Sequence, residues 1–104
     1  MREVDQPTFA AAHADGALVI DVREPGEYVS GHVPGARLMP MGRLPQHLAE
    51  LPRGQRIYLI CASGNRSLAA ADFLARAGID AMSVAGGTGA WQRTGKPVTF
   101  GTRP

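Results

Sequence analysis

The stretch from Ile57 to Ala71 constrains the fold more than any other part of the chain. It reads Ile-Tyr-Leu-Ile-Cys-Ala-Ser-Gly-Asn-Arg-Ser-Leu-Ala-Ala-Ala. Four apolar or aromatic residues typical of a strand lead through a short polar turn into an alanine-rich run that favours a helix. Such a junction directs several unpaired backbone N–H groups, and the positive end of the helix dipole, into one small space. The pattern therefore predicts a strand, a tight loop and a helix that together stabilise negative charge.

Short apolar runs alternate with helical segments along the rest of the chain. The run from Leu18 to Val22 is typical of a strand buried on both faces of a parallel sheet. Apolar residues at helical spacing predict a helix over residues 43–51. In the helix after the central loop, the same spacing predicts a sheet-facing side formed by Ala70, Phe73, Leu74 and Ala77. Strands are predicted near residues 2–5, 18–22, 37–39, 56–61 and 81–85. This alternation predicts an α/β fold, a parallel sheet covered by helices on both faces.

Composition limits the class of protein. A chain of 104 residues with 44% apolar and 19% charged residues fits one globular domain, residues 1–104. Its single cysteine cannot form an internal disulfide, and no stretch approaches the roughly 18 apolar residues needed to span a bilayer. We therefore expect a cytoplasmic protein without a membrane partner. The net charge is only +2 and the arginines are scattered, which is unlike a nucleic-acid-binding face.

Three segments that are distant in sequence are predicted to meet at one edge of the sheet. Asp21, Cys61 and the pair Gly86-Gly87 each fall at the carboxyl end of a predicted strand. Ligands of open α/β sheets bind in the crevice beyond these ends. The sequence therefore predicts a site formed by these residues.

Cys61 is the candidate nucleophile of this site. Free cysteines are commonly small buried hydrophobes, but this one stands where a strand ends and a polar loop begins, at the mouth of the predicted space. Gly64 can adopt a positive φ and turn successive N–H groups toward the sulfur, which favours the thiolate. Arg66, on the rim of the loop, would hold an anionic sulfur donor or lower the thiol pKa further.

The neighbouring polar residues have supporting roles in this interpretation. Ser67 is predicted to be the N-cap of the following helix, and Ser63 to donate its hydroxyl to bound sulfur. Asp21 is expected to accept backbone N–H groups or to pair with Arg23. One cysteine and three separated histidines do not form a metal-ligand pattern, so no metal site is expected. Trp91 is expected in the core.

Four motifs in order resemble the successive signatures of a rhodanese domain, over residues from about 4 to 98. They are Asp21-Val22-Arg23-Glu24, Gly31-His32-Val33-Pro34-Gly35-Ala36, Cys61-Ala62-Ser63-Gly64-Asn65-Arg66-Ser67, and Gly86-Gly87 with Trp91. The resemblance implies a three-layer fold with a five-stranded parallel sheet, and sulfurtransferase chemistry through a cysteine persulfide. The family's nucleophile maps onto Cys61, and its active-site loop maps onto the residues that follow: Ala62, Ser63, Gly64, Asn65 and Arg66.

The expected reaction moves sulfane sulfur from thiosulfate or a persulfide to cyanide or a thiol, and it needs no cofactor because the loop itself stabilises the charge. Ala62 and Ser63 are neutral, which leaves a second donor open. The donor would then be a protein-bound or small persulfide, and thiosulfate would replace it only in an assay. Another alternative is a non-catalytic persulfide carrier or regulatory module that docks on a sulfur-trafficking protein. A third is a phosphatase or arsenate reductase, although those loops read C-x5-R and this chain has C-x4-R.

Overall fold

Five parallel strands form one sheet in the computed structural model, which describes residues 2–104. The strands lie in the order β1-β5-β4-β2-β3, and every neighbouring pair runs parallel. Asp21 pairs in register with Ile60, so the carboxyl ends of the two central strands lie side by side. The predicted α/β fold with a five-stranded parallel sheet is confirmed. The strand bounds are Glu3–Val4 (β1), Leu18–Asp21 (β2), Arg37–Leu38 (β3), Ile57–Ile60 (β4) and Ala81–Val84 (β5).

Helices connect the strands, and one predicted helix is broken. The helices are Gln6–Ala14 (α1), Pro25–Val29 (α2), Leu44–His47 (α3), Asn65–Arg76 (α4) and Gly87–Arg93 (α5). The continuous helix predicted over 43–51 is wrong, because α3 is a single turn flanked by 3-10 turns at Met41–Arg43 and Leu48–Glu50. Pro45 lies in the first turn of α3, a position that tolerates proline, so it is compatible with the start of this turn but does not explain why the helix stops at His47. Within residues 2–104, no helix combines the length and apolar character needed to cross a bilayer.

The sheet has a buried core on each face because successive strand side chains alternate in direction. On one face Ile57, Leu59 and Cys61 belong to the cluster under α3 and α4. On the other face Tyr58 and Ile60 belong to the cluster under α1 and α5. The second cluster includes Trp91, which is buried as predicted.

Helix α4 contacts the sheet through its smallest residues. Its buried side chains are Ser67, Ala70, Ala71 and Leu74. The prediction that Phe73 faces the sheet is wrong, since 36% of this residue is exposed and it lines a shallow groove with Leu44 and Pro45. The two alanines allow the helix to approach the strands closely and leave the larger ring at the edge of the interface.

Candidate active site

Cys61 follows the last residue of β4, and its position in the strand alternation determines where its sulfur lies. Its side chain shares a face with Ile57 and Leu59, the face that α4 covers. The sulfur therefore lies beneath the N-terminus of α4. The residue is only 1% exposed, so it occupies the floor of the site rather than the mouth at which the sequence placed it.

The surroundings of the Cys61 sulfur are polar despite this burial. Sγ accepts hydrogen bonds from the backbone N–H of Gly64 at 3.1 Å and of Ser67 at 3.4 Å. The Ser67 hydroxyl lies 3.4 Å from the same sulfur. Burial acts to raise the pKa of the thiol, but the hydrogen bonds from Ser67, Gly64 and the Ser63 N–H outweigh it, and the pKa is lowered from its ordinary value. The site therefore stabilises a thiolate.

Gly64 gives the loop its curled shape. It adopts a φ of +107° and is the N-cap of α4, which turns its own N–H toward Sγ. A Cβ at this position would also lie 3.2 Å from the Gly86 nitrogen. Glycine therefore satisfies both the backbone conformation and the close approach of a neighbouring segment.

The predicted N-cap role of Ser67 is wrong. Gly64 ends the loop, so α4 begins at Asn65 and Ser67 is its third residue. The Ser67 hydroxyl lies 2.7 Å from the Ser83 hydroxyl on β5 and 3.2 Å from the Gly64 carbonyl oxygen. Ser67 thus links the cysteine to the neighbouring strand instead of capping the helix, and its N–H is free for the sulfur because the first turn of a helix offers it no acceptor.

The segment Gly86 to Gly89 anchors the backbone of the Cys61 loop through hydrogen bonds. The N–H groups of Thr88 and Gly89 donate to the carbonyl oxygens of Cys61 and Ala62 at 2.8 and 3.0 Å. These bonds direct the loop carbonyls toward α5 and away from the sulfur. A Cβ on Gly87, whose φ is +59°, would come within 2.7 Å of the Ala62 carbonyl carbon. The sequence placed this glycine pair at the site but did not predict its anchoring role.

Arg66 is held by a residue that the sequence analysis missed. Its two terminal nitrogens donate to the two carboxylate oxygens of Glu27 on α2, each at 2.8 Å. The hydrogen bonds from Arg66 lower the pKa of Glu27 to about 2. In turn, the hydrogen bonds with Glu27 raise the pKa of Arg66. The guanidinium therefore has a carboxylate partner, whereas the sequence analysis treated it as an unpartnered positive charge.

Asp21 and Arg23 form a buried ion pair beside the loop. The Asp21 carboxylate accepts from the Arg23 backbone N–H at 3.0 Å, from Nε at 2.9 Å and from a terminal nitrogen at 2.8 Å. Arg23 also donates to the Gly31 carbonyl oxygen at 2.9 Å. The expected pairing is confirmed, and it ties the end of β2 to the segment that follows α2.

The exposed loop residues are arranged differently from the sulfur-binding ones. Ser63 is exposed, and its backbone N–H, rather than its hydroxyl, contributes to lowering the Cys61 pKa. Asn65 is also exposed, and Ala62 is half-buried. Among residues 2–104 no group of three or more His, Cys, Asp or Glu side chains is placed to hold a metal ion.

Comparison with known proteins agrees with this geometry. The family model of the rhodanese-like domain matches residues 5–94. The chain belongs to the rhodanese-like family. The motifs in its sequence therefore identified the family correctly. The five-stranded parallel sheet of this rhodanese-like domain matches the fold of its solved relatives.

Three relatives illustrate the likeness of the rhodanese-like chain to known members. A protein of Allochromatium vinosum named sulfurtransferase is 32% identical over 101 residues, which cover 94% of each chain. The structure of a rhodanese-related protein from Thermoplasma volcanium has a TM-score of 0.90 at 32% identity and covers 97% of this chain and 100% of its own. A rhodanese-like domain protein from Staphylococcus aureus has a TM-score of 0.82 at 31% identity, covering 88% and 91%. These relatives support membership of a sulfurtransferase family.

Proposed function

We propose that the chain is a sulfurtransferase that moves sulfane sulfur from a small donor to a nucleophilic acceptor through a persulfide on Cys61. One observation carries the proposal. The Cys61 sulfur accepts N–H groups from Gly64 and Ser67 within a curled loop, and its pKa is lowered in spite of burial. A thiolate that is stabilised in this way is a nucleophile for sulfur.

The first half of the reaction charges the cysteine. The Cys61 thiolate attacks the outer sulfur of the donor, a sulfur–sulfur bond forms at Sγ, and the bond within the donor breaks with its electron pair on the leaving group. With thiosulfate the leaving group is sulfite, and the enzyme keeps a persulfide anion. No proton, oxidant or cofactor is consumed in this step.

The loop amides stabilise the new terminal sulfur. An α-helix offers no acceptor to the N–H groups of its first turn, so those of Asn65 and Arg66 are free of the helix's own hydrogen bonds. Together with the Ser63 N–H and the dipole of α4, they form an anion-binding loop of the kind that stabilises charge without reorganisation. We assign this cradle to residues 62–66, with Ser67, Asp21 and Arg23 in supporting positions.

The second half discharges the cysteine. A nucleophile such as cyanide or a thiolate attacks the terminal sulfur, the bond to Sγ breaks, and its electron pair regenerates the Cys61 thiolate. Cyanide leaves as thiocyanate. The partners of the protein in this proposal are therefore small sulfur donors and acceptors, with a sulfur-trafficking protein as a further acceptor.

Steady-state transfer to cyanide tests the proposal. We expect thiocyanate formation with double-displacement kinetics from thiosulfate, a thiosulfonate or a small persulfide, and none with Cys61→Ser. Absence of thiocyanate from every donor would contradict the catalytic role. In that case, stoichiometric loading of Cys61 followed by transfer only to a protein thiol would indicate the carrier alternative.

A further inference from the structure

The Glu27 carboxylate is fixed from two directions. It binds both terminal nitrogens of Arg66, and its Oε1 also accepts the backbone N–H of Glu24 at 3.1 Å within the capping box of α2. Both partners of the ion pair are partly exposed, with 37% of the Glu27 side chain and 40% of the Arg66 side chain accessible. The pair therefore lies at the protein surface, and the Arg66 end of it is close enough to Cys61 to be affected by its charge.

Two ion pairs lie near the sulfur, and each is neutral by itself. Asp21 and Glu27 are negative, and Arg23 and Arg66 are positive. These groups interact with one another. The charge of Arg23 contributes to lowering the pKa of Glu27, and the charges of Asp21 and Cys61 contribute to raising the pKa of Arg66. The other loop side chains carry no charge. Ionisation of Cys61 adds a negative charge that neither ion pair compensates, so an incoming anion meets a repulsion that grows with its own charge.

We propose that Glu27 is a specificity-determining residue that neutralises Arg66 and thereby selects donors of low negative charge over dianions. The preferred donors are then monoanionic sulfane compounds, such as alkyl persulfides and thiosulfonates, and thiosulfate is the disfavoured class. This inference rests on the proposed function of Cys61, since it concerns which donor the same thiolate attacks.

Two donors of matched chemistry test the role of Glu27. Thiosulfate and methanethiosulfonate each present a sulfane sulfur bonded to a sulfonyl sulfur, but the first is a dianion and the second a monoanion. Attack by the thiolate releases sulfite from one and methanesulfinate from the other. With cyanide as acceptor, the kcat/KM for the donor reports the first half of the reaction, in which this charge difference acts.

Glu27→Gln removes one negative charge and frees Arg66. The electrostatic energy is proportional to the charge of the donor. If the substitution raises kcat/KM about threefold for the monoanion, it therefore raises kcat/KM about tenfold for the dianion. We therefore expect the kcat/KM ratio of thiosulfate to methanethiosulfonate to rise about threefold. Glu3→Gln, which makes the same change in net charge at an exposed residue of β1, is expected to leave the ratio unchanged.

The outcomes separate this inference from the proposed function. If Glu27→Gln transfers sulfur with an unchanged or lower ratio, the role of Glu27 is refuted while the function stands. If no donor yields thiocyanate with the wild-type protein, the function itself fails. Should Glu27→Gln not fold, the wild-type ratio can be followed with ionic strength. Screening is expected to raise that ratio, and a constant or falling ratio would overturn the inference.

Discussion

Replacing Ser67 by alanine tests how the Cys61 thiolate is stabilised. The substitution removes the hydroxyl that lies 3.4 Å from Sγ but keeps the backbone N–H that also binds the sulfur. A hydrogen bond to a charged group contributes about 1.5–3 kcal/mol. The Ser67 hydroxyl has a single proton but three polar neighbours, which are the sulfur, the Ser83 hydroxyl and the Gly64 carbonyl oxygen, so the lower end of that range applies. Since about 1.4 kcal/mol is a tenfold change in an equilibrium constant, we expect the Cys61 pKa to rise and the thiolate to be disfavoured about tenfold.

The rate of alkylation by iodoacetamide as a function of pH measures this shift. The reagent is neutral and reacts with the thiolate, so the midpoint of the profile reports the pKa. Below both midpoints, the thiolate population of Ser67→Ala is expected to be about tenfold smaller than that of the wild type. The variant also loses the contact with Ser83, and we expect a loss of about 1–2 kcal/mol in the free energy of unfolding.

Ser63→Ala is the matched control, because Ser63 is exposed and acts on the sulfur through its backbone N–H. We expect its profile to coincide with that of the wild type. A Ser67→Ala midpoint that is unchanged or lower would refute the reasoning. So would an equal shift in both variants, since the side chain of Ser63 does not contribute to the wild-type pKa in this account.

Three further substitutions test the framework around the sulfur. Gly87→Ala places a Cβ against the Ala62 carbonyl, and we expect it to lower the unfolding free energy by about 3–5 kcal/mol. Gly16→Ala, at a similar φ but in open space, should cost only about 1–2 kcal/mol in the same denaturant titration. Asp21→Asn leaves Arg23 buried without its anionic partner, and chemical denaturation should show a loss of about 3–5 kcal/mol. The Glu27 pKa lies near 2 in the folded protein, below the ordinary 4.5, so its ion pair stabilises the fold above about pH 4.5 and that contribution is lost as the pH falls through 2. The stability difference between wild type and Glu27→Gln should therefore shrink as the pH falls from 4.5 and vanish below 2, where Glu27 is protonated in the folded state as well; a difference that persisted well below pH 2 would contradict the assignment. Because both side chains are more than one-third exposed, the difference itself should stay below about 1 kcal/mol.

The phosphatase alternative makes a separate prediction. Arg66 stands one position closer to the cysteine than in C-x5-R loops, and its guanidinium already holds the Glu27 carboxylate. A phosphoryl group would have to displace that carboxylate. We therefore expect no hydrolysis of an aryl phosphate by the wild-type protein, and Cys61-dependent hydrolysis would contradict this account.

Features set by local sequence were predictable. The apolar runs located β2 and β4, and the end of each strand then placed Asp21 and Cys61 at the same edge of the sheet. Gly64 was predictable as the turning point of the loop because positive φ favours glycine. The pairing of Asp21 with Arg23 followed from their separation of two residues and from the cost of an unpaired buried carboxylate.

Features set by contacts between distant segments were not predictable. Glu27 and Arg66 are 39 residues apart, and nothing in either local pattern indicates that α2 faces the loop. Ser67 has the residue type of an N-cap, but the cap position had already been taken by Gly64, and the partner of Ser67 lies on β5. The depth of Cys61 also depends on how closely α4 approaches the sheet, which its alanines allow but do not specify.

Intact mass analysis of the protein after exposure to a sulfane donor tests the central claim most directly. The account predicts that the wild-type chain gains the mass of one sulfur atom, that peptide mapping places it on Cys61, and that cyanide or a thiol removes it. Cys61→Ser should gain nothing under the same conditions. A wild-type chain that remains at its original mass with every donor would contradict the account. So would an equal gain of sulfur by the wild-type chain and the Cys61→Ser variant.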